Sequence, residues 1–584
     1  MTMNYKKAYE EWLNSPYFDK ETKEELIVIK EDENEIKERF YKNLEFGTAG
    51  LRGIIGAGTN RMNIYTIRKA TQGLANYIQK QGENKSVVIA YDSRHMSLEF
   101  ANAAALCLAA NGIKAFIFDS LRPTPELSFA VRELHCIAGI NITASHNPAE
   151  YNGYKVYWKD GAQITPPHDI GIMEEVHAIT DYSTLPTMDQ CTAKERGLYQ
   201  IIGEEIDAKY IKTLKSLVLH KEAIKEVGDK LKIVYTPLHG TGNLPVRRVL
   251  KELGFTKVYV VEEQEKPDGD FPTVPYPNPE DSKAFELGLK LAKEVDADIV
   301  LATDPDADRL GVYVKGAKAG EYKVLTGNVS GCFLADYEIG QRKEQYGLPD
   351  DGYLIKTIVT SNMADAIAAY YGIDICEVLT GFKYIGGKIG ESEHTGKGQY
   401  LFGMEESYGC LIGTYARDKD AVSATMALCE AAAYYLTKGQ TVYDVILKMY
   451  ERYGYYKENT HSVTLSGIEG LEKITTIMKN LRENPPKNFG GLKVLRTRDY
   501  ALGVIRDICD ESLENTNLPK ANVLYYELEE DAWVCVRPSG TEPKIRVYYG
   551  IRGETLEKMD ENASNTEKAI KMFLREILSR QKQM

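Results

Sequence analysis

Short apolar runs alternate with amphipathic segments along most of the chain, and these segments have the lengths of strands and helices. The first such stretch predicts strands at 87–91, 115–118 and 136–143, with helices at 98–110 and 124–134. Strands that alternate with helices are typical of α/β domains, in which ligands bind in loops that follow the carboxyl ends of strands. Catalytic and ligand-binding residues are therefore expected first in those loops.

The alternation then starts again twice. One round predicts strands and helices at 232–235, 246–253, 258–261, 282–294 and 299–302, and the next at 354–359, 363–371, 375–379 and 399–402. After about residue 455 the elements become shorter and mixed, with strands at 523–528 and 533–536 and a long helix at 556–580. Length allows three or four domains, and this alternation divides the chain at 1–210, with a helical, charge-rich lead-in at 1–40, 211–325, 326–455 and 456–584.

Length and composition agree with a multi-domain globular protein. At 584 residues the chain is longer than one hydrophobic core normally organises. No apolar run approaches the roughly 20 residues that cross a bilayer. Residues 1–26 lack the basic start and apolar stretch of a secretory signal. We therefore expect a cytoplasmic protein without a membrane partner.

Charge and cysteine content narrow the class of ligand. The formal net charge of −13 argues against nucleic acid as a partner, while a small phosphorylated ligand would need Arg and Lys concentrated in one pocket. The 9 cysteines include no Cys-x-x-Cys pair, which argues against a disulfide framework and a zinc site. A small-molecule partner is expected, and the sequence leaves monomer and dimer open.

A serine follows the strand predicted at 136–143. Residues 143–148 read Thr-Ala-Ser-His-Asn-Pro, and a strand that delivers Ser145 into a turn beside His146 suits a nucleophile or a phosphate carrier. A simple Asn-Pro turn is the alternative. Lys155 is close enough to face the same cavity, as a proton shuttle or a phosphate counter-charge, although it is also compatible with a surface strand. Arg52, within the glycine-rich segment 46–53, suits a phosphate grip or a flexible turn.

Three aspartates follow the strand predicted at 299–302. Residues 304–309 read Asp-Pro-Asp-Ala-Asp-Arg, so three carboxylates converge on one cation only if the loop folds around it. A calcium-binding EF-hand is excluded because Arg309 and Lys315 stand where Gly and Glu are required. The pattern favours one Mg²⁺ per chain, with a coordination position left for a phosphate oxygen, over a solvated acidic turn. Its predicted ligands are Asp304, Asp306 and Asp308.

Three later loops carry further polar groups. Lys383, in the loop 380–384, suits a phosphate, while Glu405 and Ser407 suit sugar hydroxyls. Walker-type spacing is absent around Gly381, so a nucleotide is not implied. The loop 537–544 combines an arginine, two hydroxyls and glycine-supported amides, which predicts a phosphate cradle or, alternatively, a plain hairpin turn.

The order of these loops resembles that of the α-D-phosphohexomutases, and in particular of the long-form bacterial α-phosphoglucomutases, which are similar to phosphopentomutases. The resemblance rests on the motifs Thr-Ala-Ser-His-Asn-Pro, Asp-Pro-Asp-Ala-Asp-Arg, Glu-Glu-Ser and Arg-Pro-Ser-Gly-Thr-Glu-Pro, and it spans about residues 46–549. It implies four domains around a central cleft. Three would be related α/β domains with mixed sheets, and the C-terminal one an α+β, TATA-binding-protein-like domain.

The resemblance also implies a role for each matching residue. Ser145 would be the phosphoserine, and its phosphate would share Mg²⁺ with the three aspartates. Arg309 would contact the transferring phosphate, while phosphate contact and proton transfer fall to Arg52, His146 and Lys155, with Lys155 the first choice for the acid/base. The implied substrate-binding residues are Thr380, Gly381, Lys383, Glu405, Ser407, Arg537, Ser539, Gly540 and Thr541.

The implied activity is the interconversion of α-D-glucose 1-phosphate and glucose 6-phosphate, with glucose 1,6-bisphosphate as activator and intermediate. The sugar loop reads Met-Glu-Glu-Ser-Tyr and departs from the patterns of other branches of the family, so phosphopentomutase and phosphomannomutase activities remain alternatives. Two other classes are a metal-dependent phosphomonoesterase and a non-catalytic sugar-phosphate sensor. The first commonly needs histidine ligands for a second metal, and the second would lack Ser145 or an aspartate.

Overall fold

The computed structural model describes residues 4–44, 50–82, 85–465, 467–539 and 544–580. They divide into two compact units. Unit 1 contains the described chain through Gly327 together with Phe382–Tyr400 and Ser407–Val442. Unit 2 contains Asn328–Gly381, Leu401–Glu406 and the described chain from Tyr443 onward.

Three short helices open the described chain: α1 Tyr5–Asn14, α2 Lys20–Val28 and α3 Glu33–Phe40. Side chains of Asn and Asp cap all three N-termini by accepting backbone N–H groups. The sequence pattern predicted solvated helix faces here, but Trp12 stacks on Phe18 with ring centroids 4.1 Å apart and Phe40 is fully buried. The lead-in therefore has an aromatic core, because large apolar residues recur between its charged positions.

The first α/β region follows in unit 1. Its strands are β1 Leu51–Ile54, β2 Ser86–Tyr91, β3 Lys114–Phe118, β4 Ala138–Ile142, β5 Tyr151–Trp158 and β6 Tyr199–Ile202. Its helices are α4 Ile64–Gln81, α5 Ser97–Ala110, α6 Thr124–Glu133, α7 His168–Ala178 and α8 Gln190–Glu195. The strand order is β1-β5-β4-β2-β3-β6, in which β2, β3, β4 and β6 run parallel while β5 pairs antiparallel with β4 and β1. The sheet is therefore mixed.

The second region, also in unit 1, begins with two helices, α9 Glu204–Ser216 and α10 Lys221–Val227. Strands β7 Ile233–Thr236, β8 Val258–Val260, β9 Ile299–Thr303, β10 Leu310–Lys315 and β11 Tyr322–Leu325 form its sheet, in the order β11-β10-β9-β7-β8. Its remaining helices are α11 Asn243–Leu253, α12 Glu262–Glu265 and α13 Glu286–Val295. The parallel neighbours of β7 and the antiparallel β10 again make a mixed sheet.

The third region is shared between the two units. Its elements are α14 Gly327–Tyr346, β12 Gly352–Thr357, α15 Met363–Tyr371, β13 Asp374–Val378, α16 Phe382–Thr395, β14 Gln399–Glu405, β15 Gly409–Ile412, α17 Ala421–Thr437 and α18 Val442–Tyr453. In unit 2, β12 and β13 pair in parallel. In unit 1, α17 is buried along its first thirteen residues, Ala421–Ala433, and Asp420 caps its N-terminus.

The C-terminal region lies wholly in unit 2. Its strands are β16 Tyr455–Thr464, β17 Asn488–Phe489, β18 Leu492–Asp499, β19 Val504–Asp507, β20 Leu513–Asn515, β21 Leu524–Leu528, β22 Trp533–Pro538 and β23 Lys544–Gly553. Their pairings are antiparallel, and the helices α19 Gly467–Glu483 and α20 Leu556–Arg580 complete an α+β region. None of the described helices is long and apolar enough to cross a bilayer.

Candidate functional site

Two buried strands deliver the predicted serine and the predicted acidic triplet. β4 ends at Ile142, shortly before Ser145, and β9 ends at Thr303, directly before Asp304. The hydroxyl of Ser145 donates a hydrogen bond of 2.8 Å to Asp304 Oδ2. Two loops from different sheets of unit 1 therefore meet in one site.

Ser145 is held in an uncommon conformation. It is buried, and its φ of 53° lies in the left-handed region that non-glycine residues rarely adopt. Its backbone N–H donates to Thr143 Oγ1 at 2.8 Å, and its Oγ lies 3.1 Å from His146 Nδ1. A serine hydroxyl has one proton. Because Asp304 accepts that proton, His146 contacts the same oxygen as a donor.

The carboxylate groups of the three aspartates lie close together in the protein interior. Asp304, Asp306 and Asp308 each offer a carboxylate oxygen, and these oxygens lie within 4.8 Å of one another. The loop closes on itself because the backbone N–H groups of Asp308 and Arg309 donate to Asp304 Oδ1 at 3.2 and 3.0 Å. All three carboxylates are buried, which excludes the alternative of a solvated acidic turn.

Two buried lysines offset the negative charge of this cluster. Lys155 Nζ donates to Asp306 Oδ2 at 2.8 Å and lies 3.8 Å from Asp308 Oδ2. Lys419 Nζ lies 2.9 Å from Asp308 Oδ2. Lys155 is on the buried strand β5, opposite Asn141 of β4, and not at the surface. The pairing of β5 with β4 brings Lys155 into the serine site.

The acid–base properties of the cluster follow from burial and crowding. Burial raises the pKa of Asp304 well above its usual range, and the neighbouring Asp306 and Asp308 raise it further. Burial also opposes ionisation of Asp306, but the Lys155 ammonium outweighs it and lowers the pKa of that carboxyl. Burial works against the charged form of Lys155, yet Asp306 and Asp308 raise its pKa. The lysine is therefore held as a cation.

The donor set fits a divalent cation. Asp306 Oδ1 and Asp308 Oδ1 are buried without a hydrogen-bond partner among the described residues, which is costly for carboxylate oxygens. An all-oxygen set of hard donors suits Mg²⁺ better than zinc. The residues that would hold the ion are the three aspartates, together with an oxygen on Ser145.

Two arginines act on the loop that carries Ser145. Arg52 Nη1 donates to Asn147 Oδ1 at 2.8 Å, and Arg309 Nη1 donates to Glu280 Oε1 at 2.5 Å. Burial, followed by the positive charges of Arg309 and Arg52, holds the pKa of His146 well below its usual range. The imidazole is therefore neutral near pH 7, and the two guanidinium groups offer positive charge to an anionic group.

The residues of the later loops that were predicted to bind sugar and phosphate occur in both units. In unit 1, Lys383 is buried at the start of α16, its Nζ 5.4 Å from the Tyr384 ring centroid, and Ser407 is half-buried. The segment 380–384 was predicted as a loop, whereas α16 begins at Phe382. Gly381 precedes it with a φ of 112°, a conformation that requires glycine.

In unit 2, Thr380 and Glu405 are buried, while Arg537 and Ser539 are half-buried. Glu405 ends β14, and Arg537 lies near the end of β22. The N–H of Ser539 donates to the carbonyl of Lys544 at 2.7 Å, so a hydrogen bond joins the residue after β22 to the first residue of β23. Gly540 and Thr541 lie outside the described residues, as do residues 46–49 of the glycine-rich segment.

Three residues of the site were not predicted from the sequence. Lys419 comes from the loop between β15 and α17 and ion-pairs with Asp308. Thr124, at the start of α6, donates its hydroxyl to Asp306 Oδ2 at 3.0 Å. Arg94 donates to the carbonyl of Ser145 at 2.5 Å. Only Arg94 had a sequence signal, because it follows a predicted strand end; Lys419 and Thr124 are identified by tertiary contact alone.

Four family models match the chain in order. Their descriptions are phosphoglucomutase/phosphomannomutase alpha/beta/alpha domain I at residues 43–183, domain II at 208–318, domain III at 326–453 and the C-terminal domain at 516–561. Among curated proteins, a phosphoglucomutase of Staphylococcus saprophyticus is 38% identical over 516 residues, covering 88% of this chain and 92% of that protein. A phosphoglucomutase of Staphylococcus epidermidis is 36% identical over 554 residues, covering 94% and 96%.

Solved structures agree on the fold. Parafusin from Paramecium, described as a phosphoglucomutase and solved in an open form, aligns with a TM-score of 0.68 at 19% identity, over 92% of this chain and 95% of that one. A phosphoglucomutase/phosphomannomutase family protein from Burkholderia thailandensis aligns with a TM-score of 0.63 at 19% identity, over 90% and 97%. Four domain matches and long relatives above 30% identity lead to one conclusion: the chain belongs to the phosphoglucomutase/phosphomannomutase family.

Proposed function

We propose that this protein is a phosphoglucomutase, an isomerase that interconverts α-D-glucose 1-phosphate and glucose 6-phosphate. The observation that carries the proposal is the contact of 2.8 Å between Ser145 Oγ and Asp304 Oδ2, which sets a buried hydroxyl against a buried carboxylate triplet. The curated relatives that cover most of the chain are named phosphoglucomutase. Their names favour glucose phosphates over the alternative ribose and mannose phosphates.

In the proposed reaction, Ser145 carries a phosphoryl group and transfers it to the free hydroxyl of glucose 1-phosphate. The bond from phosphorus to Ser145 Oγ breaks and this oxygen takes up a proton, while a bond to the sugar oxygen forms and the sugar hydroxyl loses its proton, so no net proton is gained or lost. The intermediate, glucose 1,6-bisphosphate, reorients in the site and transfers its other phosphoryl group to Ser145. Phosphoryl transfer demands alignment and charge stabilisation more than covalent assistance, and the burial of Ser145 protects the phosphoryl group from water.

The proposed metal ligands are Asp304, Asp306, Asp308 and a phosphate oxygen on Ser145. When bound, Mg²⁺ supplies electrostatic stabilisation of the charge on the transferring group. Arg309 and Arg52 would contact that group. Arg309 forms an ion pair with Glu280, and its charge acts on His146, the neighbour of Ser145.

Proton transfer is assigned to Lys155 and His146. Lys155 remains the first choice for the general acid/base catalyst. Because its pKa is raised, its amino group is protonated at the start of the reaction and can donate a proton. His146 Nδ1 lies within 3.1 Å of Ser145 Oγ, which favours it as the group that hydrogen-bonds the serine oxygen when the phosphoryl group leaves.

Sugar hydroxyls would be bound by Glu405 and Ser407, and the phosphate that does not react by the loop after β22. The proposed substrate-binding residues remain Thr380, Gly381, Lys383, Glu405, Ser407, Arg537, Ser539, Gly540 and Thr541. The buried carboxylate of Glu405 and the strand-end position of Arg537 support these assignments. We also keep the domain bounds 1–210, 211–325, 326–455 and 456–584, and a cytoplasmic location, as part of this proposal.

The test is a comparison of kcat/KM for glucose 1-phosphate, ribose 1-phosphate and mannose 1-phosphate, each supplied with its bisphosphate. The highest value is expected for glucose 1-phosphate, and activity should disappear on chelation and return with Mg²⁺. A higher kcat/KM for ribose or mannose 1-phosphate would assign the protein to another substrate class. Release of inorganic phosphate without isomerisation would identify a phosphomonoesterase instead.

A further inference from the structure

A single buried guanidinium contacts most of the loop that carries Ser145. Arg94 Nη2 donates to the carbonyls of Ser145 and Asn147, the first at 2.5 Å, and its Nη1 donates to the carbonyls of Pro148 and Tyr151 at 2.7 and 3.0 Å. The side chain of Arg94 has no exposed surface. Three carbonyls of the loop and one at the start of β5 therefore converge on one cation.

Arg94 is itself fixed from two directions. Its Nε lies 3.3 Å from Asp92 Oδ2, and Asp92 Oδ1 accepts from the Arg94 backbone N–H at 3.0 Å and from Ser97 Oγ at 2.8 Å. On its other side, Arg94 Cζ lies 5.0 Å from the ring centroid of Phe271. The end of strand β2 and a residue of the second α/β region therefore hold the guanidinium in place.

The loop needs such support, because Ser145 occupies the left-handed region with a φ of 53°. A serine does not favour this conformation, so surrounding contacts must maintain it. Only arginine offers a planar fork whose two terminal nitrogens can each reach two carbonyls, whereas the single ammonium of lysine cannot span them.

We propose that the ion pair of Arg94 with Asp92 is a positioning device that holds the Ser145 loop in the conformation required for phosphoryl transfer. The inference rests on the proposed function for its kinetic consequence, while its structural consequence can be measured separately. Arg94 does not contact the Ser145 hydroxyl; it acts through the backbone of residues 145–151.

The test compares Arg94→Lys with Arg39→Lys. Arg39 is the matched control because its guanidinium also bridges several acceptors in unit 1, namely Glu25 and Glu35 of the N-terminal helices and the carbonyl of Ala57 after β1. Hydrogen exchange of the peptide 143–151 is expected to accelerate in Arg94→Lys and to remain at the wild-type rate in Arg39→Lys. An unchanged rate in Arg94→Lys would overturn the inference.

The kinetic readout separates positioning from general stability. In Arg94→Lys we expect kcat to fall by about 100-fold, the loss that accompanies a misplacement of about 1 Å, while KM for glucose 1-phosphate stays near the wild-type value. Equal falls in kcat for both variants would overturn the positioning role. If the wild-type enzyme has no mutase activity, the proposed function fails while the exchange result still decides whether Arg94 holds the loop.

A second variant guards against misfolding of Arg94→Lys. Asp92→Asn leaves the guanidinium in place but removes the negative charge that faces its Nε. The same peptide is expected to exchange faster than in the wild type, by a smaller factor than in Arg94→Lys. Wild-type exchange in Asp92→Asn, together with wild-type kcat, would show that the ion pair does not position the loop.

Discussion

Ser145 Oγ donates a hydrogen bond of 2.8 Å to Asp304 Oδ2 across 159 positions of the chain. The two residues follow the strand ends of different sheets, and both are buried. This contact joins two of the four motifs that together support the family resemblance. In the proposed function neither motif is sufficient alone, because one would supply the phosphate carrier and the other the negative charge that binds a cation.

Removal of the Ser145 hydroxyl tests the phosphate carrier directly. Ser145→Ala is expected to show no detectable turnover even with glucose 1,6-bisphosphate present, because no oxygen remains to accept the phosphoryl group. Mass spectrometry should detect one phosphoryl group on the wild-type protein after incubation with the bisphosphate and none on the variant. The exposed Ser120→Ala serves as control. Near-normal flux in Ser145→Ala would refute the assignment.

Metal binding should appear as stabilisation. A ligand that binds only the folded state at about 100 times its Kd stabilises it by about 2.7 kcal/mol, so Mg²⁺ should raise the Tm of the wild-type protein. Asp306→Asn is expected to lose this rise, because it removes a carboxylate of the buried cluster. The exposed Asp296→Asn should retain it. Thermal unfolding with and without Mg²⁺ measures both, and an equal rise in all three proteins would contradict the metal site.

Lys155 and a divalent cation should compete for the same carboxylates. Lys155→Met removes the ammonium that faces Asp306 and Asp308, and we expect the free energy of unfolding without metal to fall by about 3–5 kcal/mol. Mg²⁺ should restore part of this loss and bind more tightly than in the wild type. Urea unfolding over a Mg²⁺ titration measures both effects.

The control for this prediction is Lys80→Met, which breaks an exposed ion pair with Glu175. Its effect should stay within about 1 kcal/mol and should not depend on Mg²⁺. A Lys155→Met protein with wild-type stability in the absence of metal would show that the ammonium does not neutralise the cluster.

The carboxyl group of Glu458, in unit 2, should make the free energy of unfolding depend on pH. Burial raises its pKa from 4.5 to about 7, against the opposing effects of Ser361 and Lys356. Its Oε1 is buried without a hydrogen-bond partner among the described residues, so the folded protein favours the protonated form. The stability contributed by this proton is complete below pH 4.5 and is lost as the pH rises to about 7.

Glu458→Gln should remove this decline. Between pH 5 and pH 8 the wild-type free energy of unfolding is expected to fall by about 1–3 kcal/mol relative to the variant. Urea midpoints at both pH values measure the difference, and Glu472→Gln, an exposed position on α19, should behave as the wild type. Parallel pH profiles for wild type and Glu458→Gln would exclude Glu458 as the source.

Local sequence pattern accounts for much of the fold. The helices predicted at 363–371 and 556–580 match α15 and α20 in both bounds, and the strand at 87–91 differs from β2 by one residue. The α/β class with mixed sheets, an α+β C-terminal region and the phosphohexomutase family are confirmed. These features depend on periodicity and on motifs within short stretches, which a sequence contains completely.

The sequence by itself determined most of the strands and helices and the functional groups that follow two strand ends: a serine after β4 and three carboxylates after β9. The tertiary structure decided which groups meet them. Lys419, Thr124 and Arg94 contact the site from distant segments, and Lys155 became a buried counter-charge once β5 paired with β4. Such contacts depend on how sheets and loops pack in space, and burial makes their charges interact strongly; neither property can be read from local spacing.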